Sequence, residues 1–206
     1  MYSNYLRTLS LSSFLFVALL YPPFKVQAQE TFNHEPKRSF FTYSAGYSPH
    51  SIRLLGKTRK SKTFISKLSY SKLIKEKEDA SIYFTVGLVP FLHYDYSKRD
   101  NLDKPDIAKG FGISPWGFDL IKPINRLASY KLGTSGSIIY MNKFFPTDKS
   151  RRLNFAFDIS AVIQRQLSSR LSFSFGYKFH HISNAQTGKQ NPGLDSNFIF
   201  ISIHSN

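Results

Sequence analysis

The chain has 206 residues, a net charge of +15, 20 Phe, 12 Tyr and no cysteine. That length fits one domain once a leader is set aside. The missing thiol excludes a Cys nucleophile, a Cys-ligated zinc site and c-type haem attachment, and it leaves an exported chain without disulfides. The basic balance alone would suggest nucleic acid, but no zinc-finger spacing, phosphate-binding Gly-rich loop or basic helix accompanies it, so no nucleic-acid partner is expected. An exported basic chain more plausibly meets lipid phosphates, with plain loop solvation as the alternative.

Residues 1–28 read as a secretory signal: Arg7 supplies the positive end, TLSLSSFLFVALLYPPF the apolar core, and VQA at 26–28 the small residues before a cut. The core is short for a spanning helix and holds Pro22 and Pro23, which argues against a retained anchor. The mature domain is then 29–206. Eight segments of alternating character follow, at 39–48, 63–74, 81–95, 107–121, 128–143, 152–166, 170–183 and 194–203. Links 75–79, 122–127 and 167–169 are short; links 49–62, 96–106, 144–151 and 184–193 are longer on average. Short turns at one end and longer loops at the other predict an all-β fold. It is an eight-stranded antiparallel transmembrane barrel with periplasmic turns and outer loops, in the bacterial outer membrane.

The seventh segment carries the chemistry. Leu171, Phe173, Phe175, Tyr177, Phe179, His181 and Ser183 fall on one face, and Ser172, Ser174, Gly176, Lys178, His180 and Ile182 on the other. In a narrow barrel the small polar set turns inward and the apolar stripe faces lipid. His181 and Ser183 finish that stripe at its outer end, where the ester of an outer-leaflet lipid lies. Two residues along a strand advance about 6.6 Å on one face, which a leaning imidazole can largely close. Serine needs such a base to become nucleophilic, and the base needs a third group to fix its tautomer. Asp195 in the last segment is the expected third member, across from Ser183 or diagonal to His181. Oxyanion donors are expected from the Asn184 amide and from backbone N–H groups at the Asn191-Pro192-Gly193 bend, notably Gly193.

FGYKFHHISNAQTGKQNPGLDSNFIFISI resembles the terminal signature of the outer-membrane lipid A 3-O-deacylase family, related by name to the acyloxyacyl hydrolases. Segments 129–146 and 152–179 are similar to the preceding strands of that family, and GFGISPWGF and YFTVGLVPF to its middle strands. The resemblance implies hydrolysis of the ester-linked 3-position acyl chain of lipid A, with no metal and no cofactor. It also implies His181 as base, Ser183 as nucleophile and Asn184 as an oxyanion donor. The chain departs from the family pattern twice. Asp195 stands where the family's characterised members have Glu, and the chain ends Ile203-His204-Ser205-Asn206 rather than on an aromatic residue, Phe200 being the nearest. His180 reads as an interior histidine bonded to neighbours. His34, His50, His93 and His204 lack metal-ligand spacing. Trp116 and the tyrosines suit interfacial belts. Lys57, Arg59, Lys60 and Lys62 suit either lipid A phosphates or solvent. Two other readings stay open: a non-catalytic small barrel with a structural or adhesion role, and a soluble periplasmic barrel carrying a lipid.

Overall fold

The computed structural model describes residues 37–98 and 104–205. The expected leader at 1–28 lies outside them. The described chain is all strand: β1 (Ser39–Ser48), β2 (Ser51–Ile52), β3 (Lys62–Lys77), β4 (Ala80–Lys98), β5 (Lys104–Asn125), β6 (Ala128–Phe145), β7 (Arg151–Gln166), β8 (Leu171–Ser183) and β9 (Leu194–Ser205). Consecutive long strands pair antiparallel, and β1 closes the ring on β9 from Phe41↔Ser205 to Tyr47↔Ile199. Closure leaves every long strand with two neighbours and no free edge, which a bilayer requires. The eight expected segments are the eight long strands. The short β2 was not anticipated. It continues the β1 side of the ladder past Ser48, pairing Ser51 with Ser196 and Ile52 with Asp195.

Side-chain alternation explains why these segments form strands. Along β9, Phe198, Phe200, Ser202 and His204 are buried while Ile199, Ile201 and Ile203 are exposed. Phe111, Ile113, Trp116, Phe118 and Leu120 continue this exposed apolar belt on β5. So many exposed large apolar groups on a closed barrel mark a lipid-facing wall. Pro90 and Pro115 cannot donate to a ladder, and both fall where the register slips, between Val89 and Leu92 and between Ile113 and Trp116.

The interior differs from the uniformly small, polar filling expected. One half is polar. Lys67 Nζ donates to Ser114 Oγ (3.0 Å) and Ser135 Oγ (2.9 Å), and Asp158 accepts from Ser135 (3.0 Å) beside a cavity of about 60 Å³. That volume is large enough for a few waters, and its lining is polar. The half nearer the longer loops is instead a dry core of Leu92, Tyr94, Tyr96, Met141, Phe145 and Phe198. The long strands β4–β6 explain the change. Their outer ends carry the barrel wall toward the loops, where the interior has to be closed by packing as in a soluble core.

Candidate active site

β8 delivers its two faces as the alternation predicted. His180 points inward, with Nδ1 2.7 Å from Asp158 Oδ1 and Nε2 3.0 Å from the Tyr94 hydroxyl. His181 points outward with 15% of its side chain exposed. The register corrects one expectation. Asp195 lies neither across from Ser183 nor diagonal to His181, but directly opposite His181, and the β8–β9 ladder ends at Ile182↔Leu194. Directly opposed Cβ atoms sit close enough for a short carboxylate. Asp195 Oδ1 accordingly meets His181 Nδ1 at 2.6 Å. This bond fixes Nδ1 as the protonated nitrogen and leaves Nε2 as the basic one. Phe157 packs on the imidazole at 5.5 Å between ring centroids.

Asp195 is fully buried although it belongs to the outward row of β9, because the 52–56 segment lies over it. Its Oδ2 accepts the backbone N–H groups of Leu54 (2.8 Å), Leu55 (2.7 Å) and Gly56 (2.8 Å). A buried carboxylate with one oxygen on an imidazole and the other on three amides has its hydrogen-bonding capacity met. The segment is tied to the last loop by Lys57 N–H to Pro192 O (2.6 Å) and Thr58 N–H to Gly193 O (3.2 Å). Gly193 adopts φ +61°, and a Cβ there would lie 2.9 Å from His181 Cε1, so its glycine identity lets the loop close against the imidazole.

Ser183 sits half-buried at the end of β8, followed by a turn with Ala185 at φ 49° and Gln186 at φ 61°. Two successive non-glycine residues in the left-handed region are uncommon and costly, a feature that concentrates at functional sites. Ser183 Oγ accepts only a long 3.5 Å contact from Ala185 N–H, and among the described residues no hydrogen bond joins it to His181. Such bonds are often loose before substrate arrives.

The expected oxyanion role of the Asn184 amide does not fit its surroundings. Asn184 is fully buried on the inward side, and its Nδ2 donates to Gln190 O (2.7 Å) and Ser150 Oγ (3.2 Å). It clamps the 184–193 loop to the 146–150 loop. Sequence reasoning missed the side chain of Asn191. Its Oδ1 accepts the Asn184 backbone N–H (3.0 Å), which places that amide beside the residue after Ser183. Nδ2 of Asn191 makes no hydrogen bond among the described residues. The signal in the sequence was the Asn-Pro-Gly bend, read there only for its backbone.

The lipid A 3-O-deacylase (PagL) family model matches residues 126–204, which run from the turn before β6 into β9. Residues 126–204 are similar to that family. The fold agrees. The crystal structure of the outer membrane enzyme PagL superposes with a TM-score of 0.56 at 14% identity, covering 79% of this chain and 97% of that one. Neisserial surface protein A superposes with a TM-score of 0.51 at 13% identity, covering 82% and 97%. No curated protein sequence matches significantly. His181, Ser183, Asn191 and Asp195 all fall inside the family's matched span, whereas Leu54, Leu55 and Gly56 lie well upstream of it. The basic residues Lys57 and Arg59 are exposed on the loop that carries those three, and Lys62 is exposed at the start of β3.

Proposed function

We propose that the protein is an outer-membrane serine esterase that removes the ester-linked acyl chain at the 3-position of lipid A. Ser183 Oγ attacks the ester carbonyl while its proton passes to His181 Nε2. The C–O bond to the sugar breaks, His181 returns the proton to the departing sugar oxygen, and the acyl group stays on Ser183. A water then attacks, giving its proton to His181, and Ser183 leaves with that proton as the free 3-hydroxy fatty acid departs. Asp195 holds the imidazole and stabilises its charged form. Asn191 Nδ2 and the Gly193 N–H are the donors for the oxyanion. No metal is needed for these steps.

The observation that supports this reading most is the 2.6 Å His181–Asp195 bond on the lipid-facing row that ends at Ser183. A purely structural barrel gains nothing from a buried carboxylate aimed at an imidazole on its outer wall. The test is purified, detergent-folded protein mixed with lipid A and followed by mass spectrometry. Loss of one 3-hydroxyacyl group is expected from the wild type, with none from Ser183→Ala or His181→Ala proteins that remain heat-modifiable barrels. No mass loss from the wild type supports the structural or adhesion role instead.

A further inference from the structure

Apart from His181, the residues that hold Asp195 lie outside the family's matched span and far from it in sequence. β2 ends at Ile52, opposite Asp195, and the chain then crosses over that carboxylate instead of leaving the barrel. Leu54, Leu55 and Gly56 turn three successive backbone N–H groups onto a single oxygen, Asp195 Oδ2, at 2.7–2.8 Å. The other oxygen is thereby left to His181. Backbone donors have no rotamers to order, so the carboxylate is held without side-chain entropy cost.

The crossing is close enough to need a glycine. A Cβ on Gly56 would lie 2.8 Å from both Leu194 Cα and Leu194 N, and 2.9 Å from Gly193 C. These are backbone atoms and cannot step aside. Gly193, whose own Cβ position is 3.4 Å from Gly56 Cα, separates this crossing from the His181 ring. Leu54 and Leu55 turn their amides onto Asp195, while the two residues stay 69% and 54% exposed over the outward row of β9. An apolar pair this exposed, on the outer side of a covered carboxylate, belongs against acyl chains.

We propose that Leu54–Gly56 is a positioning strap for the proposed acid: its backbone amides set Asp195, a carboxylate with a short arm, at bonding distance from His181, and its leucines rest on the acyl chains of the outer leaflet. This rests on the esterase reading above. The strap residues are positioning residues; they act on the substrate only through Asp195 and His181. Asp195 works because the strap presses its carboxylate into place. A carboxylate one methylene longer has no room under the intact strap, and regains reach when the strap is lifted.

The experiment uses the full-length protein in detergent, with folding checked by heat-modifiability. Gly56→Ala lifts the strap. The expected result is a kcat lower by about 100-fold, the scale of a roughly 1 Å misplacement, with KM little changed. The downfield proton resonance of His181 Nδ1–H, expected of the wild type from the 2.6 Å bond, disappears. Asp195→Glu alone also lowers kcat, but the Gly56→Ala/Asp195→Glu double variant is more active than Gly56→Ala. Wild-type kcat with a retained downfield proton in Gly56→Ala, or simple addition of the two losses in the double variant, overturns the strap. The proton is read without substrate, which separates the two ideas. A protein that cleaves nothing yet loses the proton in Gly56→Ala keeps the strap and refutes the esterase; one that cleaves lipid A with the proton unmoved in Gly56→Ala does the reverse.

Discussion

At the scale of single residues, the site depends on what each polar atom is already doing. Asp195 spends one oxygen on His181 and the other on three amides. Asp195→Asn keeps the shape but turns an N–H₂ toward either the imidazole N–H or the amide donors. Activity is expected to fall about 10⁴-fold, as for other triads deprived of their carboxylate, and stability by about 1–3 kcal/mol for the mismatched buried donor. Initial rates on lipid A and urea midpoints of the folded barrel check the two effects. The two asparagines are expected to separate as sharply. Asn191→Ala, which removes the Nδ2 donor together with the Oδ1 bond to the Asn184 amide, should lower kcat by about 10²–10³-fold, the usual effect of losing an oxyanion donor. Asn184→Ala removes bonds to Gln190 and Ser150 that are structural, so it should lower stability by about 1–2 kcal/mol and change kcat far less. Equal kinetic losses in the two variants would contradict this division.

At the scale of elements, two strands and two loops make the site, and they were legible to different degrees. The β8 face was readable because alternation is strict there: one aromatic row, one small or polar row, and His181 and Ser183 closing the former. The partner of His181 was not, because a hairpin joined by the long 184–193 loop leaves its register open to a slip. The ladder put Asp195 two residues from where spacing alone had it, on the same face. The strap was hidden for another reason. RLLGK in a basic loop looks like solvated chain with a stray apolar pair, and nothing local says that its amides close over a carboxylate some 140 positions later in the chain. Asn184 misled because its neighbour is Ser183, although alternation turns the two to opposite sides of the wall.

At the scale of the whole molecule, the barrel wall is apolar outside, polar within one half and dry within the other. Ile201, near the middle of β9 and exposed, stands in the lipid-facing belt. Ile201→Lys is expected to destabilise the barrel by about 2–4 kcal/mol when folded into phospholipid vesicles, read from urea titration. The dry core of Tyr94, Tyr96, Met141 and Phe145 closes the interior above the cavity. Planar bilayers containing the protein should therefore show no open-channel conductance, and steady ion currents would contradict this core. A closed interior directs the proposed chemistry to the outer surface, where His181 and Ser183 sit in the same row as the membrane belt. The most direct measurement treats the folded barrel with a long-chain alkyl fluorophosphonate and locates the adduct by peptide mass mapping. A single adduct on Ser183 that vanishes in His181→Ala is expected; an unlabelled Ser183, or labelling that persists without His181, would contradict the esterase.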